Sequence, residues 1–293
     1  MIEAWLSFFW SPTDLTSLAV FRVLAGCLVV ADALSYASLR RLLLDPASYV
    51  PHDDWSASQH ANRSSLLRAL FARRGSTMAL VAAYGLCGLV LAVGFPPPLV
   101  VPLASILAFA LSRTLRQRNP LVAHSGDILL GILLVLLAFT PCTETLSLAA
   151  TRSAAPPQRL AAPALRLMQV QLSVLYTTSV LYKLRGATWR KGTATHYVVR
   201  LLGHRKRRLP AALDTPASHR VATYATLAVE FGGGLLVWFP ATRYPALLAL
   251  AGLHLTLQLL MRMHLFQWIM LSALVLFIPG EDMARFLDWL GLL

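Results

Sequence analysis

Ionisable side chains embedded in long apolar runs are the residues of this sequence that could do chemistry. Arg22, Asp32, Arg166, Glu230 and His254 lie within such runs, with Gln169 and Gln171 as uncharged company. A charge at the centre of a bilayer costs about 2.5–3.5 kcal/mol on insertion scales, so each of these residues is kept for function or because it pairs with another polar group. Arg22 and Asp32 are ten residues apart, or ~15 Å along a helix. Each therefore needs a partner on another segment. Two further residues stand at the ends of runs: His124 opens a His-Ser-Gly-Asp stretch, and Lys183 closes the run that begins at Ala164. A lysine amine partly removed from water gives up its proton more readily and can act as a base, while a nearby imidazole can exchange protons or orient a substrate. Structural readings compete with these. Lys183 could snorkel to the headgroups, and His124 could start a helix with Ser125 or Asp127 as its cap. Gly232, Gly233 and Gly234, beside Glu230, suit close helix packing better than a ligand loop.

The elements that must position these residues follow from composition. With 57% hydrophobic and 13% charged residues in a 293-residue chain, the apolar content exceeds the roughly 45–50% of ordinary soluble domains. That argues against a soluble enzyme and against a disordered chain. Apolar runs occur at 17–38, 77–94, 96–111, 121–140, 164–182, 221–240, 244–261 and 265–279. A spanning helix needs about 20 apolar residues, and lipid leaves backbone groups no partner outside a helix or a closed barrel. Short alternating barrel strands are missing. The expected fold is all-α: a polytopic membrane helix bundle of about eight transmembrane helices forming a single domain over residues 1–293. Pro96, Pro97 and Pro98 require a tight reversal or kink between the second and third runs. Ser153 to Pro157 reads as a loop marker. Short amphipathic terminal helices complete the reading. Ile2, Trp5, Leu6, Phe8, Phe9 and Trp10 suit the headgroup level, and Met283, Phe286, Leu287 and Leu290 form a helical stripe opposite Asp282, Arg285 and Asp288.

The net charge of +13 is explained by topology. Loops after the first, third, fifth and seventh runs hold 20 Lys and Arg, against four on the other face. The positive-inside rule then places both termini outside the cytoplasm. His124 and Lys183, two crossings apart, come to one face. The run Arg205-Lys206-Arg207-Arg208 is expected to lie on anionic lipid; aromatic residues do not interleave it, so nucleic acid is not an expected partner. Cys27, Cys87 and Cys142 show neither a disulfide framework nor metal-ligand spacing, and no phosphate-binding loop appears. The N-terminus lacks the basic region of a secretory signal, so the first apolar run is expected to be a retained span.

The stretch from Tyr182 to Ala194 resembles the Lys-Leu-x-Gly-x-x-Trp-x-x-Gly-x-Ala signature of the HTTM family of transmembrane proteins, which is related to the vitamin K-dependent gamma-carboxylase. Phe21-Arg22, Glu230, Pro240 to Arg243, His254, Phe266-Gln-Trp-Ile269 and Phe277-Ile-Pro279 are similar to further family landmarks, in order, from about Thr16 to Pro279. The resemblance implies that Lys183 is the base and His124, in its His-Ser pair, a proton partner. It also implies a cavity formed by Arg22, Asp32, Trp189, Glu230 and His254, and a quinone or vitamin K-like lipid as the cofactor to look for. The carboxylase has paired lysines where this chain has Tyr182-Lys183, a Lys-to-Trp spacing one residue shorter, a large C-terminal lumenal domain and lumenal chemistry, so gamma-carboxylation itself is not expected. The chain is more similar to the sporulation-delaying-protein-B-like group. That likeness implies maturation or export of a small secreted, antimicrobial peptide, with another membrane or accessory subunit as partner. A quinone-dependent enzyme with a lysine base and a non-catalytic scaffold or transporter remain open beside it.

Overall fold

A computed structural model of the chain describes residues 2–44, 74–118, 123–152 and 159–292. The main helices are α1 (Ile2–Trp10), α2 (Thr16–Ser38), α3 (Arg74–Val93), α4 (Val100–Arg118), α5 (Ser125–Leu137), α6 (Pro163–Arg185), α7 (Pro216–Leu236), α8 (Pro240–Leu260), α9 (Phe266–Leu274) and α10 (Gly280–Trp289). Among the described residues there is no strand, only the isolated bridges Thr13 to Leu160 and Arg205 to Met261. The all-α expectation holds, and a helix occupies each of the eight apolar runs. The Ser153 to Pro157 marker and the first residues of the 121–140 run lie outside the described residues.

Length and apolarity separate these helices. Among the described residues two helical segments, Thr16–Ser38 and Gly75–Val93, are long and apolar enough to cross a membrane. The 23 residues of α2 rise ~34 Å, against a hydrocarbon layer of ~30 Å. Helices α4, α6, α7 and α8 have 19 to 23 residues but carry more polar side chains. Two runs are shorter as helices than expected. Within 121–140 the helix α5 covers only Ser125–Leu137, because His124 caps its start and its ladder ends in a turn at Ala138 to Thr140. Within 265–279, α9 tightens after Leu274 into a 3-10 turn over Val275–Phe277. The 96–111 run shifts the other way. Its helix starts at Val100, after the prolines, and continues to Arg118, so the three arginines expected in a loop are helical, and Arg116 and Arg118 are buried.

The chain divides into two compact units, Met1–Ala164 with Gly280–Leu293, and Leu165–Pro279. In the first, α2 and α3 approach closely through small residues. A Cβ on Gly26 would lie 2.4 Å from the Ala92 nitrogen, and one on Gly88 would lie 2.8 Å from the Gly26 oxygen. Gly94 ends α3 with φ of 66°, a left-handed turn that a side chain rarely adopts. Both chain ends gather at one rim: Thr13 bridges Leu160, Arg159 pairs with Glu281 at 2.5 Å, and Gly280 is packed on Asp14. Met283 and Leu287 of α10 are buried, as the stripe requires, whereas Phe286 and Leu290 are exposed, as is every residue of α1 except the half-buried Phe9.

In the second unit, α7 and α8 form a hairpin joined by Val237 to Phe239, and Gly233 and Gly234 of the glycine triplet seat it. A Cβ on Gly233 would meet the Leu250 side chain at 2.6 Å, and one on Gly234 would meet Tyr176 Cβ of α6 at 2.9 Å. These glycines serve packing, as expected.

Candidate functional site

The second unit holds four of the expected site residues, Lys183 with Trp189, Glu230 and His254. Helical periodicity places Tyr176, Ser179 and Lys183, at i, i+3 and i+7, on one face of α6. Helix α6 ends at Arg185, and the Gly186 amide closes the turn on the Lys183 carbonyl at 2.9 Å. The one-turn helix Ala187–Arg190 follows, and it sets the Trp189 ring 5.1 Å from the Lys183 ammonium, within cation–π range. Gly192, with φ of 70°, then reverses the chain where a Cβ would strike Arg220 and the Tyr224 ring at 2.8 and 2.9 Å. The spacing of lysine, two glycines and tryptophan is thus a device for folding an aromatic wall back over the amine.

Glu230, on α7, holds that amine. Lys183 Nζ donates to both carboxylate oxygens of Glu230, and Ser179 Oγ donates to Oε2 at 3.3 Å. The Lys183 side chain keeps 22% of its surface open and Glu230 10%. Behind the pair, Tyr176 Oη lies 2.8 Å from His254 Nε2, and His254 Nδ1 lies 2.6 Å from Gln267 Oε1. With Gln267 Nε2 directed at the Met263 sulfur, its Oε1 is an acceptor, so His254 donates from Nδ1 and accepts the tyrosine proton at Nε2. Sequence reasoning missed Tyr176 and Ser179, although the helical spacing from Lys183 back to them was there to be read, and it held Gln267 only as part of the Phe266 to Ile269 landmark.

A clamp beside this site fastens the segment after the signature to the start of α7. Thr195 Oγ1 donates to the His219 carbonyl at 2.6 Å, and Tyr224 Oη donates to the Arg190 carbonyl at 2.9 Å. Asp214 accepts from His219 Nε2 at 2.7 Å and from Arg200. The hydrogen bond from His219, followed by that from Arg200, lowers the Asp214 carboxyl below the ordinary aspartate range.

His124, Asp32 and Arg22 lie in the first unit, in two separate arrangements. Arg116 on α4 donates through Nη2 to Asp32 Oδ2 at 2.8 Å and to Asp127 Oδ1 at 2.6 Å, and through Nη1 to Ser112 Oγ at 2.5 Å. Tyr84 on α3 adds a bond to Asp32 at 3.1 Å. His124 is the N-cap of α5: its amide donates to Asp127 Oδ2 at 2.9 Å, and its Nε2 lies 3.2 Å from Asp127 Oδ1. The helix-start reading of His124 is realised, and the imidazole also touches a buried ion cluster. Arg116 was not singled out from sequence because the apolar run was taken to stop at Leu111, and Tyr84 was not singled out because it lies as an uncharged aromatic within the 77–94 run.

Arg22 is fully buried and spends its donors on carbonyls. Nε bonds Cys142 O at 3.0 Å, Nη1 bonds Leu91 O and, at 3.1 Å, Ala92 O, and Nη2 bonds Leu146 O at 2.5 Å. Leu91 and Ala92 belong to the last turn of α3, whose carbonyls lack helical partners and carry partial negative charge. As expected, Arg22 and Asp32 find partners on other segments and not on each other.

Among the described residues no group of His, Cys, Asp and Glu could hold a metal ion. The sequence model of one family, described as HTTM domain, matches residues 10–281. No curated protein and no solved structure matches the chain.

Proposed function

The chain belongs to the HTTM domain family, and on that premise we propose that it is a membrane protein crossing the bilayer eight times, with both termini outside the cytoplasm, whose Lys183–Glu230 pair is an acid–base centre used in maturing or exporting a small secreted peptide. The peptide assignment rests on the resemblance of the Lys183 to Ala194 stretch. The acid–base assignment rests on one observation: Lys183 is bound to Glu230 yet keeps 22% of its side chain open, beside the Trp189 ring.

The chemistry follows from desolvation. In water the ammonium–carboxylate form of such a pair is strongly favoured. When a substrate covers the site and excludes water, two buried charges become costly, and moving the proton from Lys183 Nζ to a Glu230 oxygen erases both. The result is a neutral amine facing the substrate and a carboxylic acid beside it. Substrate binding thereby creates the base, and Glu230 stores the proton for return to the product. Ser179 fixes the carboxylate by its hydrogen bond. His124 and the first-unit residues Arg22 and Asp32 serve this reading as supports of the bundle.

Lysine and an aromatic wall also fit a quinol-type lipid, the cofactor the family likeness implies. Lys183 and Trp189 would hold it, and when bound it would supply an acidic hydroxyl for the amine to deprotonate.

Replacing Lys183 with Arg tests the proposal. Arginine keeps the charge and the bond to Glu230 but does not deprotonate in proteins. The expected result is normal protein level with peptide processing lost. Processing at the wild-type rate in Lys183→Arg would make the pair a structural contact and would remove the acid–base reading. Organic extraction of the purified protein tests the lipid: a stoichiometric quinone supports that cofactor, and its absence from an active preparation rules it out.

A further inference from the structure

The net charge of the chain is concentrated in one unit. Residues 165–279 hold thirteen of the 26 Lys and Arg but only two of the 13 carboxylates, Asp214 and Glu230, so this unit carries +11 of the total +13. Both carboxylates are already engaged, Glu230 by Lys183 and Asp214 by Arg200 and His219. No acidic side chain of the unit remains to balance the other eleven basic residues.

Nine of those eleven belong to one end of the unit, where α6 ends, α7 begins and α8 ends: Arg185, Arg190, Lys191, Arg205 to Arg208, Arg220 and Arg262. The basic run is held there by its backbone. The Lys206 amide donates to the Leu260 carbonyl at 2.9 Å, the Arg262 amide donates to His204 O at 2.6 Å, and Arg205 bridges Met261. The first of these bonds satisfies the Leu260 carbonyl that ends α8, the exposed Lys206 side chain reaches the Gln258 carbonyl at 3.4 Å, and the Arg207 and Arg208 side chains are exposed as well. Just before the run, Leu201 and Leu202 are 51% and 83% exposed. A charged rim with bare leucines beside it, at the ends of apolar helices, has the make-up of a surface lying at the boundary between headgroups and acyl chains.

We propose that this rim binds the phosphate headgroups of anionic phospholipids through Lys206, Arg207 and Arg208, with Leu201 and Leu202 entering the acyl boundary. A single-stranded nucleic acid is a poorer fit, because the side chains next to the charges are aliphatic and give bases nothing to stack on. This inference is independent of proton chemistry at Lys183.

The test uses the full chain in neutral detergent, titrated with phosphatidylglycerol or phosphatidylcholine, with retained lipids counted by native mass spectrometry. Phosphatidylglycerol is expected to be retained preferentially. Each basic residue near an anionic surface contributes about fivefold, so the triple variant Lys206→Gln, Arg207→Gln, Arg208→Gln should lose up to about a hundredfold of that preference. A charge-preserving variant, Lys206→Arg with Arg207→Lys and Arg208→Lys, should keep it. Equal retention of the two lipids by the wild type, or an unchanged preference in the neutralised variant, overturns the proposal. So does salt-sensitive binding of a single-stranded RNA oligomer that outcompetes phosphatidylglycerol.

Discussion

Truncating the two partners of the Lys183–Glu230 pair should have unequal consequences. Losing one partner of a fully buried pair costs about 3–5 kcal/mol, and exposed pairs contribute about 0–1 kcal/mol. This pair stands between those limits, with side chains 22% and 10% open. In Lys183→Met the Glu230 carboxylate keeps only Ser179 as a hydrogen-bond donor at 3.3 Å, in the more buried position, and the expected cost is about 2–3 kcal/mol. In Glu230→Gln the stranded ammonium rides on a flexible stem that can carry it toward water, and the expected cost is about 1 kcal/mol. The double variant should be no less stable than Lys183→Met, because removing the second charge removes the burial penalty. Unfolding of the purified protein in mixed micelles, followed by tryptophan fluorescence, gives the three values, and the double-mutant cycle gives a coupling of about 1–2 kcal/mol. Additive single costs, or a larger loss from Glu230→Gln than from Lys183→Met, would refute the assignment of Glu230 as the buried member that the amine neutralises.

Arg22→Lys should destabilise the first unit by about 2–4 kcal/mol, since a single ammonium cannot reach the carbonyls of Leu91, Ala92, Cys142 and Leu146 together; hydrogen exchange should rise at residues 91–94 and 142–148. Gly233→Ala should cost about 1–3 kcal/mol by overpacking, because its Cβ would lie 2.6 Å from the fully buried Leu250. Gly232→Ala should be close to neutral or stabilising, since a Cβ there meets only Leu236 at 3.8 Å, and thermal unfolding of the two variants separates the cases. Asp214 has its carboxyl lowered by His219 and Arg200. Its contribution is therefore complete above the unfolded aspartate value of about 3.9 and fades only as pH falls through the lowered native value. Proteolysis of the 199–215 segment should be flat between pH 5 and pH 8 for Asp214, and Asp214→Asn should accelerate it at pH 7.

The apolar runs marked where helices form, because a backbone set among such side chains is satisfied most simply within a helix. What they misjudged were ends. The 96–111 run stopped on paper at the first polar cluster, yet Arg116 and Arg118 continue the helix with their side chains buried. A hydropathy pattern does not register that Asp32, far away in sequence, will neutralise a guanidinium. The same blindness hid Tyr84 and gave Asp127 only a capping role. At the second site the family resemblance named Trp189 with Lys183, but the stacking of the ring on the amine and the reversal at Gly192 depend on the one-turn helix Ala187–Arg190 and a left-handed turn, which the spacing did not disclose. Nor did it disclose the His254–Gln267 bond, since neither residue has a spacing relation to the other that implies contact.

The Arg116 and Lys183 clusters differ in ways that decide which one is suited to chemistry. The Arg116 cluster is closed, with Arg116 and Asp32 5% open and Asp127 3%, and its cation is a guanidinium that keeps its proton at any ordinary pH. Such a cluster can hold helices but cannot easily transfer a proton. Together with Arg22, it gives α2 an anchor at each end, on α3 and the loop after α5 at one end and on α3 and α4 at the other. The Lys183 cluster has a cation that can lose its proton, a carboxylate in direct contact to take it, and an opening beside an aromatic ring. Exchanging the cations makes the argument testable. Arg116→Lys should weaken the first unit while peptide processing scales only with protein level, whereas Lys183→Arg should leave stability intact and abolish processing. Loss of processing per molecule in Arg116→Lys would move the chemistry to the closed cluster.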